Sequence, residues 1–196
     1  MKVLKIFNDL LAFVWDKDNH NHANTYLLKG DRNILIDAGF LVPYPVYEVV
    51  FTHCHVDHTF YCKEYKKRGA KLMISEEDFI HLERNDNIRQ SPLARKFYGE
   101  AGKCKADIKL REGDVIKNSN WNLKVISAPG HTPGSIILFD ERRKVAFVGD
   151  LVIGNKMGHW NHPGGDPIEI RKSYLKLKRL NPSYIFAGHS ILLYGI

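Results

Sequence analysis

Residues 53–58 read His-Cys-His-Val-Asp-His, so four side chains of the kind that bind metals fall within six positions. No other feature constrains the chain as much. In an extended segment successive side chains alternate faces, which is expected to point His53, His55 and Asp57 one way while His58 swings in from the other side as the chain turns. Neutral imidazoles with a carboxylate suit a borderline divalent ion such as zinc. Four donors on one turn exceed what a structural site takes from a single segment. The plain alternative is a surface His cluster without metal, and it loses weight because later segments supply further donors.

Those segments share one context. Tyr47–Thr52 runs into His53, Leu123–Gly130 into His131, Lys144–Gly149 into Asp150, and Tyr184–Gly188 into His189. Each reads as a buried strand, and the last three end in a Gly that lets the backbone turn before the polar side chain. Four strands delivering donors from their carboxyl ends would place them along one rim of a sheet, where ligand sites of α/β architectures lie. A lone His after a strand is ordinarily structural. Four donors in the same context beside a dense cluster are not. The set His53, His55, Asp57, His58, His131, Asp150 and His189 matches two metals sharing a bridging carboxylate and a bridging water.

With these residues the chain resembles the metallo-β-lactamase superfamily, specifically its short, single-domain, hydroxyacylglutathione-hydrolase-like members. The resemblance rests on Thr-His-Cys-His-Val-Asp-His (52–58), Pro-Gly-His-Thr-Pro-Gly-Ser (129–135), Val-Gly-Asp (148–150) and Ala-Gly-His (187–189), in the family's order. It implies an α/β fold, a four-layer αββα sandwich with a dinuclear site at the sheet edge. It also implies that His53, His55 and His131 hold one metal, that Asp57, His58 and His189 hold the other, and that Asp150 bridges them. Asn24-Thr-Tyr-Leu and Ile36-Asp-Ala-Gly39 resemble the family's early strands, with Asp37 structural. Two departures stand out. Only eight residues, 40–47, separate Asp-Ala-Gly from the next strand, so one outer helix is expected to be missing and a face to be left for a partner. After His58 comes Thr-Phe-Tyr in place of the family's Gly-Gly.

Length and composition fit one domain over 1–196: 44% hydrophobic and 26% charged residues mark an ordinary globular chain. No apolar run approaches the roughly 18–20 residues that span a bilayer. The first residues, with Asp9 early and no small-residue cleavage site, read as a strand rather than a signal peptide. Cys54, Cys62 and Cys104 are odd in number and lack C-x-x-C spacing, which points to a reducing cytoplasm. The net charge of +7 is spread over several segments. The densest, Arg171–Arg179, fits the solvated face of a helix over Pro167–Leu180 whose Ile170, Tyr174 and Leu177 are buried. Further helices are expected over Phe60–Arg68 and from Ser75 to Arg84, with mixed helix and loop over 85–105.

These readings lead to a metal-dependent hydrolase. Two divalent ions, zinc first with iron or manganese as alternatives, would hold a bridging hydroxide against a small ester, thioester or lactone. Asp57 and Asp150 are the candidate catalytic residues. His159 and His162, in a Gly/Pro loop resembling the family's Leu-Pro-Gly-Gly-Asp loop, are candidate substrate contacts. His20 and His22 could form a lip or a weak third site. His81 is expected at the surface, and Cys54 to pack rather than ligate. Two other functions remain open. A persulfide-dioxygenase-like enzyme would use one iron held by His53, His131 and Asp150. A nucleic-acid phosphodiesterase is encouraged by charge but lacks room for substrate-clamping domains. The partner expected is a small molecule, with no membrane and no nucleic acid. The chain ends seven residues after His189, without the helical segment that binds glutathione in larger relatives. Oligomeric state is not legible.

Overall fold

Alternating burial organises the first half of the chain into a sheet with two apolar faces. The computed structural model describes residues 1–15, 22–84, 86–101 and 103–192. Its first sheet runs in sequence order: β1 (Lys2–Phe7), β2 (Leu10–Val14), β3 (Thr25–Leu28), β4 (Ile34–Ile36), β5 (Glu48–Val50), β6 (Lys71–Ser75) and β7 (Ile108–Leu110). Leu10, Ala12, Tyr26, Leu28, Ile34, Ile36 and Val50 face a central core. Their neighbours Leu11, Phe13, Leu27, Leu35 and Val49 face the opposite side. This is the period of two that a pleated strand imposes.

The second sheet is built from β8 (Val115–Lys117), β9 (Asn122–Ser127), β10 (Ile136–Asp140) and β11 (Val145–Gly149). A small hairpin, β12 (Val152–Ile153) and β13 (Lys156–Met157), stands apart, and β14 (Tyr184–Ala187) and β15 (Ile191–Leu192) complete the order β15-β14-β11-β10-β9-β8. Leu123, Val125, Ile136, Leu138, Val145, Phe147 and Phe186 meet the first sheet across the central core. There the rings of Phe147 and Phe186 stack at 5.2 Å, and Tyr26 approaches Phe147 at 5.4 Å.

Helices close both outer faces. On the first sheet lie α1 (Val56–Thr59), α2 (Cys62–Lys67) and α3 (Glu76–Arg84), with Cys62, Tyr65 and Leu82 in the outer apolar cluster. After α4 (Pro92–Tyr98), α5 (Pro167–Leu180) covers the second sheet through Ile170 and Leu177, with Tyr174 packed beside them. Asp166 caps α5 by accepting from the amides of Ile168 and Glu169, Pro167 opens it, and Asn181 ends it in the left-handed region at φ 48°. The layers are therefore helix, sheet, sheet, helix, as the αββα expectation required.

Two expectations need correction. Residues 56–59 form a helical turn, not a continued extended segment: the amides of His58 and Thr59 both turn back to the His55 carbonyl. The 40–47 connection has no helix, as expected, and it covers part of the face itself, leaving a cavity of about 330 Å³ beside Tyr44, Val46 and Tyr47. Phe40 and Val42 are buried against the outer side of the first sheet, with Leu41 and Val46 packed around them. Short elements escaped the sequence pattern altogether, namely β7, β12, β13 and β15, because two or three residues carry no period.

Phe147 is fully buried between the sheets, so Phe147→Ala is expected to cost about 3–5 kcal/mol through lost transfer energy and a residual cavity. Val3→Ala on the edge strand, where Val3 is 48% exposed, should stay within about 0.5 kcal/mol. Guanidinium unfolding midpoints of the two variants measure the contrast, and equal shifts would contradict the placement of the core.

Candidate metal centre

Four strands end at one rim. Beyond β5, the Phe51 amide still donates to Met73 O, while Thr52 O accepts from Ile136 N at 2.9 Å and so joins the first sheet to the second. His53 follows at once. His131 comes after β9, Asp150 directly after β11, and His189 two residues after β14. Two glycines make the close approach possible in different ways. Gly149 adopts φ 52°, a conformation that β-carbons disfavour. Gly188 needs space instead: a β-carbon there would collide with Asp150 Oδ1 and the His58 ring. Gly188 also lies in the bend that reverses the chain between β14 and β15, as its reading as a turn residue expected.

All seven expected donors converge. His53, His55 and His131 bring donor atoms within 4.8 Å of one another, as do His53, His58 and Asp150, and again Asp57, His58 and His189. Asp150 lies between the groups: Oδ1 is 3.2 Å from His58 Nε2, and Oδ2 is 3.4 Å from His189 Nε2 and 3.6 Å from His131 Nε2. His189 Nε2 is 3.1 Å from Asp57 Oδ2. The fit to a metal is visible in what the protein leaves unpaired. His53 Nε2, His58 Nε2 and Asp150 Oδ1 are buried without a hydrogen-bond partner, and such orphaned groups cost several kcal/mol unless something else satisfies them. Bound cations would do so for all three, including His58 Nε2 and Asp150 Oδ1, which otherwise face each other as an ion pair at 3.2 Å.

Other residues aim these donors. Asp37, at φ 58°, accepts from His58 Nδ1 at 2.7 Å and from Thr52 N and Oγ1 at 2.8 and 2.9 Å. Its structural role is as expected, and the contact turns His58 Nε2 toward the centre. The His159 carbonyl accepts from His131 Nδ1 at 2.7 Å. Thr52 Oγ1 lies 3.2 Å from His53 Nδ1. Holding one imidazole nitrogen fixes the ring orientation and leaves the other for a metal.

The electrostatics favour positive charge at the centre. Burial, then the neighbouring imidazoles, holds His53 well below the usual histidine range and pushes His55 down to about 3. Burial acts the same way on His58 and His189, but carboxylates outweigh it. Asp37, Asp150 and Asp57 hold His58 well above its usual value, and Asp150 and Asp57 push His189 up to about 10. Asp57 and Asp150 are held low against the opposing effect of burial by His58 and His189. Protons or divalent ions can supply the charge that these carboxylates demand, so metal binding would release protons.

The centre forms one end of an open cleft of about 470 Å³. His159 and His162 both line it, and the His162 ring sits 5.9 Å from His55 and 5.7 Å from His131. His22 packs edge-on against Phe60 at 4.6 Å, near Tyr98, and belongs to none of the three donor groups. His20 lies outside the described residues. His81 pairs with Asp86 at 2.7 Å and is only partly exposed. Cys54 is buried in the outer apolar cluster, as expected.

The family model for the metallo-β-lactamase superfamily matches residues 19–189. The chain belongs to the metallo-β-lactamase superfamily. A probable metallo-hydrolase of Methanocaldococcus jannaschii is 30% identical over 187 residues, covering 85% of this chain and 87% of that one. An acyl-coenzyme A thioesterase of Gallus gallus is 27% identical over 183 residues, covering 73% of this chain and 62% of its own length. Among solved structures, a metallo-β-lactamase family protein from Thermus thermophilus superposes with a TM-score of 0.79 at 18% identity, over 94% of this chain and 74% of that one.

Within this superfamily member, one residue of the site escaped sequence reading. Asp78 is fully buried and accepts from Cys54 N at 2.8 Å, Thr132 Oγ1 at 2.7 Å and Gly134 N at 2.7 Å. It therefore ties the 53–58 loop to the 129–135 loop. In the sequence it reads only as the third residue of a capped helix, and that cap is present too, with Asp78 N donating to Ser75 Oγ at 3.4 Å.

Asp37→Asn keeps a residue that tolerates positive φ but replaces an acceptor facing His58 Nδ1 with a donor. The expected result is about 10–100-fold weaker metal binding with the fold retained. Chelator competition followed by circular dichroism reads both. Unchanged affinity would mean that His58 does not depend on Asp37 for its orientation.

Proposed function

We propose that this chain is a dinuclear metal-dependent hydrolase, with zinc as the first candidate ion, acting on a small carboxylic ester, thioester or lactone. The observation that carries the reading is the set of orphaned buried donors at the end of an open cleft. A structural metal site is closed on all sides, whereas a catalytic one keeps open positions toward a substrate. His53, His55 and His131 would hold one ion, Asp57, His58 and His189 the other, and Asp150 would face both.

When bound, such ions supply Lewis acidity toward a carbonyl and lower the pKa of water from 15.7 to about 7. The protein's own residues divide the remaining work. Asp150 fixes the spacing of the two donor groups. Asp57, 19% exposed at its side chain and lining the cleft, orients the attacking water. His159 and His162 wall the cleft and contact the substrate, while Ile88, Ala94, Tyr98, Ile153 and Pro163 give it an apolar side for an acyl group. The relative named as a probable metallo-hydrolase supports the reaction type, and the one named as an acyl-coenzyme A thioesterase supports the substrate class.

Against a polynucleotide substrate, Arg89 is the one Lys or Arg among the described cleft residues, and its guanidinium is engaged by Thr59 Oγ1 and Ala101 O. Binding through phosphates calls for several exposed Lys or Arg and a steep salt dependence. No helix of the described residues is long and apolar enough to cross a membrane. The three free thiols support a cytoplasmic location, and we take residues 1–196 as one domain.

Turnover of matched ester, thioester and oligonucleotide panels at two salt concentrations, with elemental analysis of metal-reconstituted protein, tests the reading. About two ions per chain and metal-dependent ester or thioester hydrolysis are expected. Asp150→Ala should lower kcat by at least about 10²-fold, while His162→Ala should act mainly on KM. Salt-sensitive oligonucleotide cleavage far above ester rates would overturn the substrate class. A single bound iron with oxygen consumption on a sulfur substrate would overturn the hydrolase.

A further inference from the structure

One pair of reactive groups takes no part in this chemistry. Cys62, the first residue of α2, is fully buried, and Cys104, in the segment between α4 and β7, is half-buried. Both belong to the apolar cluster on the outer face of the first sheet, and their thiols are hydrogen-bond partners. The Cys104 amide donates to Leu82 O at 3.3 Å, which fixes that segment against α3. Lys66, one helical turn beyond Cys62, reaches the same segment: its Nζ donates to Lys105 O at 2.6 Å and to Asp107 Oδ1 at 2.7 Å. Cys54 is buried elsewhere, with its backbone amide held by Asp78.

We propose that Cys104 is a peroxide-sensitive modification site and that Cys62 is its resolving thiol, the two closing to an intramolecular disulfide. Geometry carries the assignment: two thiols in contact, one partly open to solvent and one enclosed. The electrostatics agree. The Cys62 hydrogen bond first, and Lys66 after it, draw Cys104 down to about 7 against burial and the Asp107 carboxylate. Burial pushes the Cys62 and Cys54 thiols well up. Cys104 is thus the more readily ionised thiol and the nucleophile of the pair, with Cys62 the proton donor beside it.

The chemistry balances with hydrogen peroxide as oxidant. The Cys104 sulfur attacks one peroxide oxygen, the O–O bond breaks, and hydroxide leaves, giving a sulfenic acid. Cys62 then gives up its proton, its sulfur attacks the Cys104 sulfur, and the S–O bond breaks with release of water. Two thiols are oxidised by two electrons in total, and peroxide is reduced to two waters.

The test uses the whole purified protein treated with a small excess of hydrogen peroxide, alkylated, digested without reductant and read by mass spectrometry. A Cys62–Cys104 cross-linked peptide, lighter by two hydrogens and released by dithiothreitol, is expected, with Cys54 alkylated only after denaturation. Cys62→Ser should accumulate a sulfenic acid at Cys104 that dimedone traps. Cys104→Ser should form neither the cross-link nor a dimedone adduct at Cys62. Far-ultraviolet circular dichroism confirms that both variants are folded. Oxidation appearing first at Cys54, disulfide-linked dimers in place of the internal bridge, or no dimedone adduct in folded Cys62→Ser would each overturn the proposal. None of these readouts depends on turnover, so they are separate from the fate of the hydrolase reading.

Discussion

Imidazoles and carboxylates buried against one another are the constraint that the rest of this molecule serves. The ion pairs of His58 and His189 with Asp57 and Asp150 draw part of this set together. His53 and His55, which burial strips of water, gain no such pairing among the described residues and are held in place by the backbone that carries them. Asn24 N donates to Gly188 O at 2.7 Å and Ala23 N to Asp57 O at 3.3 Å, while Gly188 N donates to Gly149 O at 2.8 Å. The Tyr26 hydroxyl adds a bond of 2.6 Å to Ala187 O. The bond between Gly188 and Gly149 joins two donor-bearing loops directly, and the others tie such a loop to β3 and the chain entering it, so the positions of Asp57, Asp150 and His189 follow from strand packing deep in the sandwich.

Asp78 shows the same principle one step further out. Burying its carboxylate raises its pKa, and the donors from Thr132, Cys54 and Gly134 work in the opposite direction. The three bonds cross from the first sheet's loop to the second sheet's loop, and no apolar side chain could make them. Its place in the first turn of α3, where backbone dipoles favour negative charge, reduces the cost of keeping it there. Rigidity at the centre is thus maintained by polar groups that themselves touch no expected ligand side chain.

Much of this architecture was legible before any coordinates. The helix over Pro167–Leu180 coincides with its element residue for residue, because the hydrophobic period and the residues at its ends both pointed the same way. The convergence of seven donor-type side chains was legible because three of them follow buried-strand patterns and four fall within six positions. The helical turn at 56–59 was not, since it is created by the His55 carbonyl accepting two amides, a local closure that alternation of residue types does not encode. The cover over the 40–47 face was missed for a related reason. Phe40, Leu41 and Val42 are too few to show a period, yet they suffice to fill part of the space of a helix.

The walls of the cleft obey different physics from its floor. The floor is set by strands whose register the core enforces: a one-residue slip would turn Val49 and Val50 to the wrong faces and carry His53 with them. The walls come from the 87–98 segment, Ile153 at the end of β12 and the loop at 159–163. These are irregular or short elements held by few bonds, such as Ser91 capping α4 and Gly165 N donating to His162 O at 2.9 Å. Substitutions there can reshape the cleft without disturbing the convergence of donors, because no wall residue supplies a backbone bond within the two sheets. The exceptions are His159, whose carbonyl accepts from His131 Nδ1 at 2.7 Å, and Arg89. The Arg89 carbonyl accepts from Val56 N at 3.2 Å and its guanidinium from within the fold reaches Thr59, so this wall position is fastened to the turn that carries Asp57 and His58. Specificity is free to vary around them, while Arg89 itself is bound to the metal-facing turn and shares its constraint.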